Sequence, residues 1–296
     1  MVEVANKHSC LLGEGPVWDE KTNTICWVDI INGDIHELNP ATGFFKTINV
    51  NSMVGAIAIC TNGDFLAAIK EGLAIVKRET GELNLFSNPE SHLPGNRFND
   101  GKCDPEGRFW VGSMSIDELP DAGSLYVLDM NNQVAKKIEH TTISNGMAWS
   151  LDHQTFYYID TPTLKVVAYD YEKSSGIITN PRTVITIDEK DGYPDGMTID
   201  AEGMLWIAHW GGWQLTRWDP LTSEKLFSIP LPVANVTSCT FGGDNFQDLY
   251  ITTAKKGLTE EELAQQSLAG NLFVWKNSGY KGLPVFKCKY FGHPAA

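Results

Sequence analysis

Three residues far apart in the chain share one local setting. Glu14, Asn145 and Asp195 each stand directly before a glycine and a short apolar stretch: Glu14-Gly15-Pro16-Val17-Trp18, Asn145-Gly146-Met147-Ala148-Trp149 and Asp195-Gly196-Met197-Thr198-Ile199. Two carboxylates and one amide carbonyl make an all-oxygen donor set. Such a set suits Ca²⁺, Mg²⁺ or Mn²⁺, and Zn²⁺ also accepts it. Two negative charges balance a divalent ion. A neutral third donor leaves that ion acidic enough to polarise a carbonyl. Taken singly, Asn-Gly and Asp-Gly are ordinary turn dipeptides. Glu-Gly is not a favoured turn pair, and recurrence in one slot is hard to assign to turns.

A second cluster is Arg97-Phe98-Asn99-Asp100-Gly101-Lys102. Arg97 and Asn99 could hold polar oxygens of a ligand beside the metal, and Asp100 fills the same pre-glycine slot. A guanidinium there suits a substrate that becomes a carboxylate. The other reading pairs Arg97 with a surface acid and makes Asp100 a turn cap.

These residues must be brought together by the elements that carry them. The slot recurs at Val54-Gly55 and, less regularly, at Ser238-Cys239, so its anchors fall at 15, 55, 101, 146, 196 and 239. The intervals of 40, 46, 45, 50 and 43 residues match the period of a β-propeller blade. Turn-rich connections separate apolar runs of four to six residues at Thr24–Asp29, Phe65–Ile69, Phe109–Gly112, Phe156–Ile159, Leu205–Ala208 and Leu249–Thr252. The expected fold is all-β: a six-bladed propeller of four-stranded antiparallel blades around a central metal-containing channel, one domain over residues 1–296. Equivalent positions of the blades then converge on the axis. The leftover segment Glu3–Cys10 is predicted to add a strand to the last blade beside Val285–Tyr290, closing the ring and removing its edges. Thr259–Gln266, with a capping-type Thr and good helix formers, reads as a surface helix within the sixth blade.

The formal charge is −14, from 23 basic and 37 acidic residues scattered along the chain. That disfavours nucleic acid and anionic membranes as partners. Six cysteines form no CxxC pair, and four of them lie in apolar strand-like runs, as free buried thiols do. With no hydrophobic leader and no run of transmembrane length, the chain reads as a cytoplasmic protein, monomer or homodimer. Dinucleotide, GxSxG and HExxH motifs are absent. The seven histidines show no metal-like spacing. His209, in Trp206-Ile207-Ala208-His209-Trp210-Gly211-Gly212-Trp213, ends a strand directed toward the channel rim near blade five, and a hydrogen-bonded structural role is the expected one. Trp210 and Trp213 could line a pocket there.

The slots resemble those of the regucalcin (senescence marker protein)/gluconolactonase/luciferin-regenerating enzyme family. The resemblance also covers Ile143–His153, Phe156–Asp160, Pro194–Asp200 and Thr237–Gly243. It implies a six-bladed propeller with one catalytic divalent metal held by Glu14, Asn145 and Asp195, and substrate contacts at Arg97 and Asn99. It further implies an active-site lid over Ser115–Ala122, in which Glu118 touches substrate; the lid looks shorter here than in the animal regucalcins. The run from His209 to Trp213 resembles bacterial sugar-lactonase members. The expected function is metal-dependent hydrolysis of small sugar (aldono) lactones to aldonic acids. The metal, Ca²⁺ or Zn²⁺ foremost, polarises the lactone carbonyl and Asp195 acts as general base. The rivals are a regucalcin-type Ca²⁺-binding regulator, an esterase or phosphotriesterase, and a luciferin-regenerating activity on the same site.

Overall fold

The computed structural model of the chain describes residues 1–289. Six antiparallel sheets of four strands each follow one another along the chain. Their inner strands are Gly13–Asp19, Val54–Ile59, Asn96–Cys103, Ser144–Trp149, Tyr193–Ile199 and Val236–Gly242. Each inner strand packs against the next, and the sixth packs back onto the first. The result is the predicted six-bladed propeller, with blades one to six numbered from these strands.

The second strand of each blade lies between neighbouring blades. Thr24–Asp29, Phe65–Ile69 and Phe109–Ser115 are buried at every position, which is why they read as continuous apolar runs rather than alternating ones. The fourth strands face solvent: Glu224–Pro230 buries only Ile229. The core is correspondingly divided into six clusters, one at each blade interface. Trp18 of blade one stacks on Tyr250 of blade six, ring centroids 5.7 Å apart, in the cluster that seals the ring. Buried turn aspartates brace two of the second strands in the same way. Asp104 accepts from the Trp110 indole at 2.9 Å and from Arg108 Nε at 2.6 Å; Asp200 accepts from the Trp206 indole at 2.9 Å and from Arg217 Nε at 2.8 Å.

Ring closure uses the N-terminus, but not as expected. The closing strand is Glu3–Asn6 rather than 3–10, and it pairs with Leu272–Trp275, not with Val285–Tyr290. Leu272–Val274 are buried and apolar, and Phe273–Trp275 pair with the second strand of the blade, so this segment forms its third strand. Tyr290 lies outside the described residues. Leu283–Phe286 instead lie across the far mouth of the channel, and Cys288 bridges in parallel to Cys60 of blade two. The helix is Glu260–Gln265, opened by a Thr259/Glu262 capping box between strands of blade six. No helix among the described residues is long and apolar enough to cross a membrane.

Deleting residues 1–7 exposes the backbone edge of Leu272–Trp275. The truncated protein is expected to melt roughly 2–4 °C lower, as loss of about one to two kcal/mol does in a chain of this size, and to self-associate. Differential scanning calorimetry and size-exclusion chromatography check this; an unchanged midpoint in a monodisperse protein would contradict the closure role.

Candidate active site

Every inner strand breaks register at its slot. The pairing skips between Glu14 and Val17, Val54 and Ala56, Phe98 and Gly101, Ser144 and Met147, Pro194 and Met197, and Val236 and Ser238. A bulge releases a residue from the ladder and re-aims its side chain. In blades three, four and five the break takes Asp100, Asn145 and Asp195 themselves out of the ladder, whereas Glu14 keeps its partner Val28 and the break falls just after it, at Gly15 and Pro16. The glycines that follow allow the inner strands to come close together there. A Cβ at Gly146 would stand 2.7 Å from the Asp195 carbonyl oxygen, and one at Gly196 would stand 2.2 Å from Ser238 Oγ.

Glu14, Asn145, Asp195, Arg97, Asn99 and Glu118 all line one cavity of about 370 Å³ at one end of the channel. The first five are buried. Glu14 Oε2 accepts from the Gly15 N–H at 2.9 Å. The Glu14 and Asp195 carboxyls are buried in the same cavity, where each disfavours the ionisation of the other. Burial, then the Asp100 charge, pushes Glu14 up to about 8. Burial, then the Glu14 and Asp100 charges, holds Asp195 well above the usual carboxylate range.

The orientation of Asn145 follows from its neighbours. Thr161 donates its hydroxyl proton to the Pro194 carbonyl at 2.8 Å, so it can only accept from Asn145 at 3.0 Å. The amide nitrogen is therefore the atom at Thr161. The Oδ1 atom is left buried with no hydrogen-bond partner. An orphan carbonyl oxygen of this kind costs about 1–3 kcal/mol unless something fills its lone pair. Two crowded carboxyls and one orphan amide oxygen, all buried, fit a hard divalent cation.

Arg97 Nη1 donates to the Phe98 carbonyl at 2.9 Å and to Asn99 Oδ1 at 2.7 Å, while Asn99 Nδ2 donates to the Ser144 carbonyl at 2.9 Å. Asn99 thus braces the guanidinium and ties blade three to blade four. Burial lowers Arg97 to about 10 against the attraction of Glu14, Glu118 and Asp195, so it stays charged at neutral pH. Glu118 sits at the mouth with a left-handed backbone (φ 55°), ion-paired to Lys256 at 2.9 Å.

Asp100 fills its slot and accepts from the Gly101 N–H at 2.7 Å, but it faces the other end of the channel. A larger, mostly apolar cavity of about 510 Å³ opens there, shares no lining residue with the first, and holds none of the proposed ligands. The half-buried Lys102 ammonium, which lines that second cavity, reaches from blade three to the Met197 carbonyl of blade five, at 2.7 Å. Trp210 lines the first cavity, whereas Trp213 is an exposed residue outside it. His209 is fully buried and bonds Thr216 Oγ1 at 2.6 Å, which makes it structural. Thr161, Tyr193 and Lys256 line the cavity and escaped the sequence reading. Thr161 alone left a trace, one residue past the Phe156–Asp160 strand whose Asp160 pairs with Ser144 beside Asn145.

The SMP-30/gluconolactonase/LRE-like family model matches residues 12–255. A Bacillus subtilis protein, YvrE, provisionally named a sugar lactone lactonase, is 38% identical over 276 residues, covering 93% of this chain and 94% of that one. A solved luciferin-regenerating enzyme superposes with a TM-score of 0.92 at 32% identity, covering 97% of this chain and 99% of that one. A regucalcin from Agrobacterium tumefaciens, described as a calcium-binding protein, superposes with a TM-score of 0.90 at 30% identity over 96% of each chain.

The raised Glu14 carboxyl carries a sign for stability. An acid whose folded pKa lies above its unfolded value binds more protons in the folded state between the two, here from 4.5 to about 8. Chelated protein is therefore expected to lose stability as pH rises through that window, by up to about 1.4 kcal/mol per pH unit from this group. Thermal melts of chelated wild type and Glu14→Gln across pH 5–8 check it. The two slopes should differ in that direction, and parallel slopes would refute it.

Proposed function

The chain belongs to the SMP-30/gluconolactonase/LRE-like family, and from that membership we propose that it is a metal-dependent hydrolase opening sugar lactones to aldonic acids. The observation that carries this reading is the orphan Asn145 oxygen facing two buried carboxyls in a cavity that also holds a guanidinium. Glu14, Asn145 and Asp195 would hold the ion, Ca²⁺ or Zn²⁺ foremost, with Mg²⁺ and Mn²⁺ as alternatives. When bound, the ion supplies Lewis-acid polarisation of the lactone carbonyl, a contribution of several kcal/mol.

The remaining chemistry falls to the chain. Arg97, braced by Asn99, orients the polar oxygens of the substrate and favours the carboxylate that forms. An Asp195 carboxylate oxygen takes a proton from the attacking water. The water oxygen bonds to the carbonyl carbon, the ring C–O bond breaks, and the proton passes to the departing ring oxygen as a hydroxyl. Glu118, at the mouth with Lys256, contacts substrate hydroxyls from the lid side. A cavity of about 370 Å³ admits a small lactone.

The other reading is a regucalcin-type calcium-binding protein, favoured by the description of the Agrobacterium relative. Such a role has no need of the Arg97–Asn99 brace inside the cavity. Ester, phosphotriester or luciferin-recycling chemistry would use the same groups on another substrate.

A pH-indicator assay over aldono-γ- and δ-lactones, on chelated protein and after adding back each ion, tests the proposal. Acid release that depends on the ion supports it; saturable metal binding with no lactone turnover would move the function to the regulatory reading. Asp195→Ala should lower kcat by about 10³-fold or more. Arg97→Ala should act mainly on KM, raising it roughly 10- to 100-fold, the worth of a charge-assisted hydrogen bond. Full activity in Asp195→Ala would remove the general base from the mechanism.

A further inference from the structure

We propose that His8, Cys10 and His36 form a second metal site, for Zn²⁺ or a similarly thiophilic ion, where the N-terminal segment crosses from blade six to blade one. One ligand atom from each residue lies within 4.8 Å of the other two. None of the three lines the cavity of the candidate active site. The histidines have no metal-like spacing in the sequence because the group is assembled only by ring closure. His8 and Cys10 follow the closing strand, and His36 comes from the third strand of blade one, Asp34–Leu38.

The strongest sign is an unmet bond. His36 is fully buried, its Nδ1 atom lies 2.9 Å from Thr47 Oγ1, and its Nε2 atom has no hydrogen-bond partner. A buried ring nitrogen left without a partner is expensive and calls for an explanation. Burial, reinforced by the neighbouring His8, pushes His36 down to about 4, so the ring is neutral and its lone pair is available to an ion. The His8 and His36 rings lie side by side, with centroids 4.5 Å apart.

Cys10 is fully buried beside them. Burial first, then the charge of Asp29, pushes its thiol up to about 12. Binding therefore replaces the thiol proton with the ion and releases that proton to water. The Asp29 and Asp34 carboxylates that oppose a bare thiolate favour a cation in the same place. One thiolate and two imidazoles select a soft or borderline ion, whereas the oxygen set on the axis selects a hard one. The exposed side of His8 leaves a fourth position open to water, completing a tetrahedron.

The backbone that carries these ligands is already fixed. The Cys10 N–H donates to the Gly270 carbonyl at 2.9 Å, Ser9 Oγ donates to the Ala269 carbonyl at 2.6 Å, and the Leu11 N–H donates to Asp29 Oδ2 at 2.7 Å. An ion held there clips blade six to blade one through side chains, alongside the strand that closes the ring.

The test uses the full chain with Co²⁺ as a spectroscopic stand-in for Zn²⁺, in excess Ca²⁺ to compete for the axial site. The expected result is one equivalent of Co²⁺ with a thiolate-to-cobalt charge-transfer band, displaced by Zn²⁺ and lost in Cys10→Ser. The exposed-ligand variant His8→Gln should stay folded and bind at least about tenfold more weakly. Zn²⁺ should raise the melting temperature of wild type and do so less for His8→Gln. Absence of the band in wild type overturns the proposal. So does a band that survives Cys10→Ser, or Zn²⁺ affinity and stabilisation that His8→Gln leaves unchanged. A folded Asp195→Asn variant that retains the band separates this site from the axial one.

Discussion

Three buried carboxyl groups share one axis, and much of the surrounding structure serves to hold them there. Glu14, Asp100 and Asp195 are each buried and each raised by burial. Left alone, like charges at that depth would drive protonation or separation. Arg97, which is buried, and Lys102, which is half-buried, supply the opposing charge from the same strand as Asp100. The bulges fix where the carboxyls point, and the six apolar interfaces keep the blades from moving apart. A packed interior resists small displacements, so repulsion at the centre is held by close packing between blades. The same stress makes the axis receptive to a cation.

Much of this was legible in the chain because a propeller repeats its geometry. A bulged inner strand needs a small residue beside the slot, so glycine returned at a blade's spacing and marked Glu14, Asn145 and Asp195 with it. The second strands were legible because burial on both faces removes alternation. Pairing partners were less so. The run from Val285 to Tyr290 has as much β character as Leu272–Trp275, and only the packing of blade six selects between them. Thr161 and Lys256 come from loops beyond the repeat, where spacing says nothing about direction. His8, Cys10 and His36 were hidden for the same reason: their meeting depends on closure, a relation between the first and last blades.

The brace around Arg97 illustrates how one blade depends on another. Asn99 spends its oxygen on the guanidinium and its nitrogen on the Ser144 carbonyl, next to the slot of blade four. Thr161 links Asn145 to the Pro194 carbonyl, next to the slot of blade five. Each functional side chain is thus oriented by the strand of its neighbour. A shift at one blade interface would be felt as a change of angle at the axis.

The Lys102 ammonium that spans the interior from blade three to blade five has a consequence for traffic. Lys102 and Asp100 line the far cavity, which shares no lining residue with the near one, so the two ends of the axis present different chemistry. Glu118 and Lys256 stand at the near end alone. If the arriving molecule is neutral and the departing one an anion, that mouth has to serve both. The Glu118–Lys256 pair sets one charge of each sign at its rim, 2.9 Å apart.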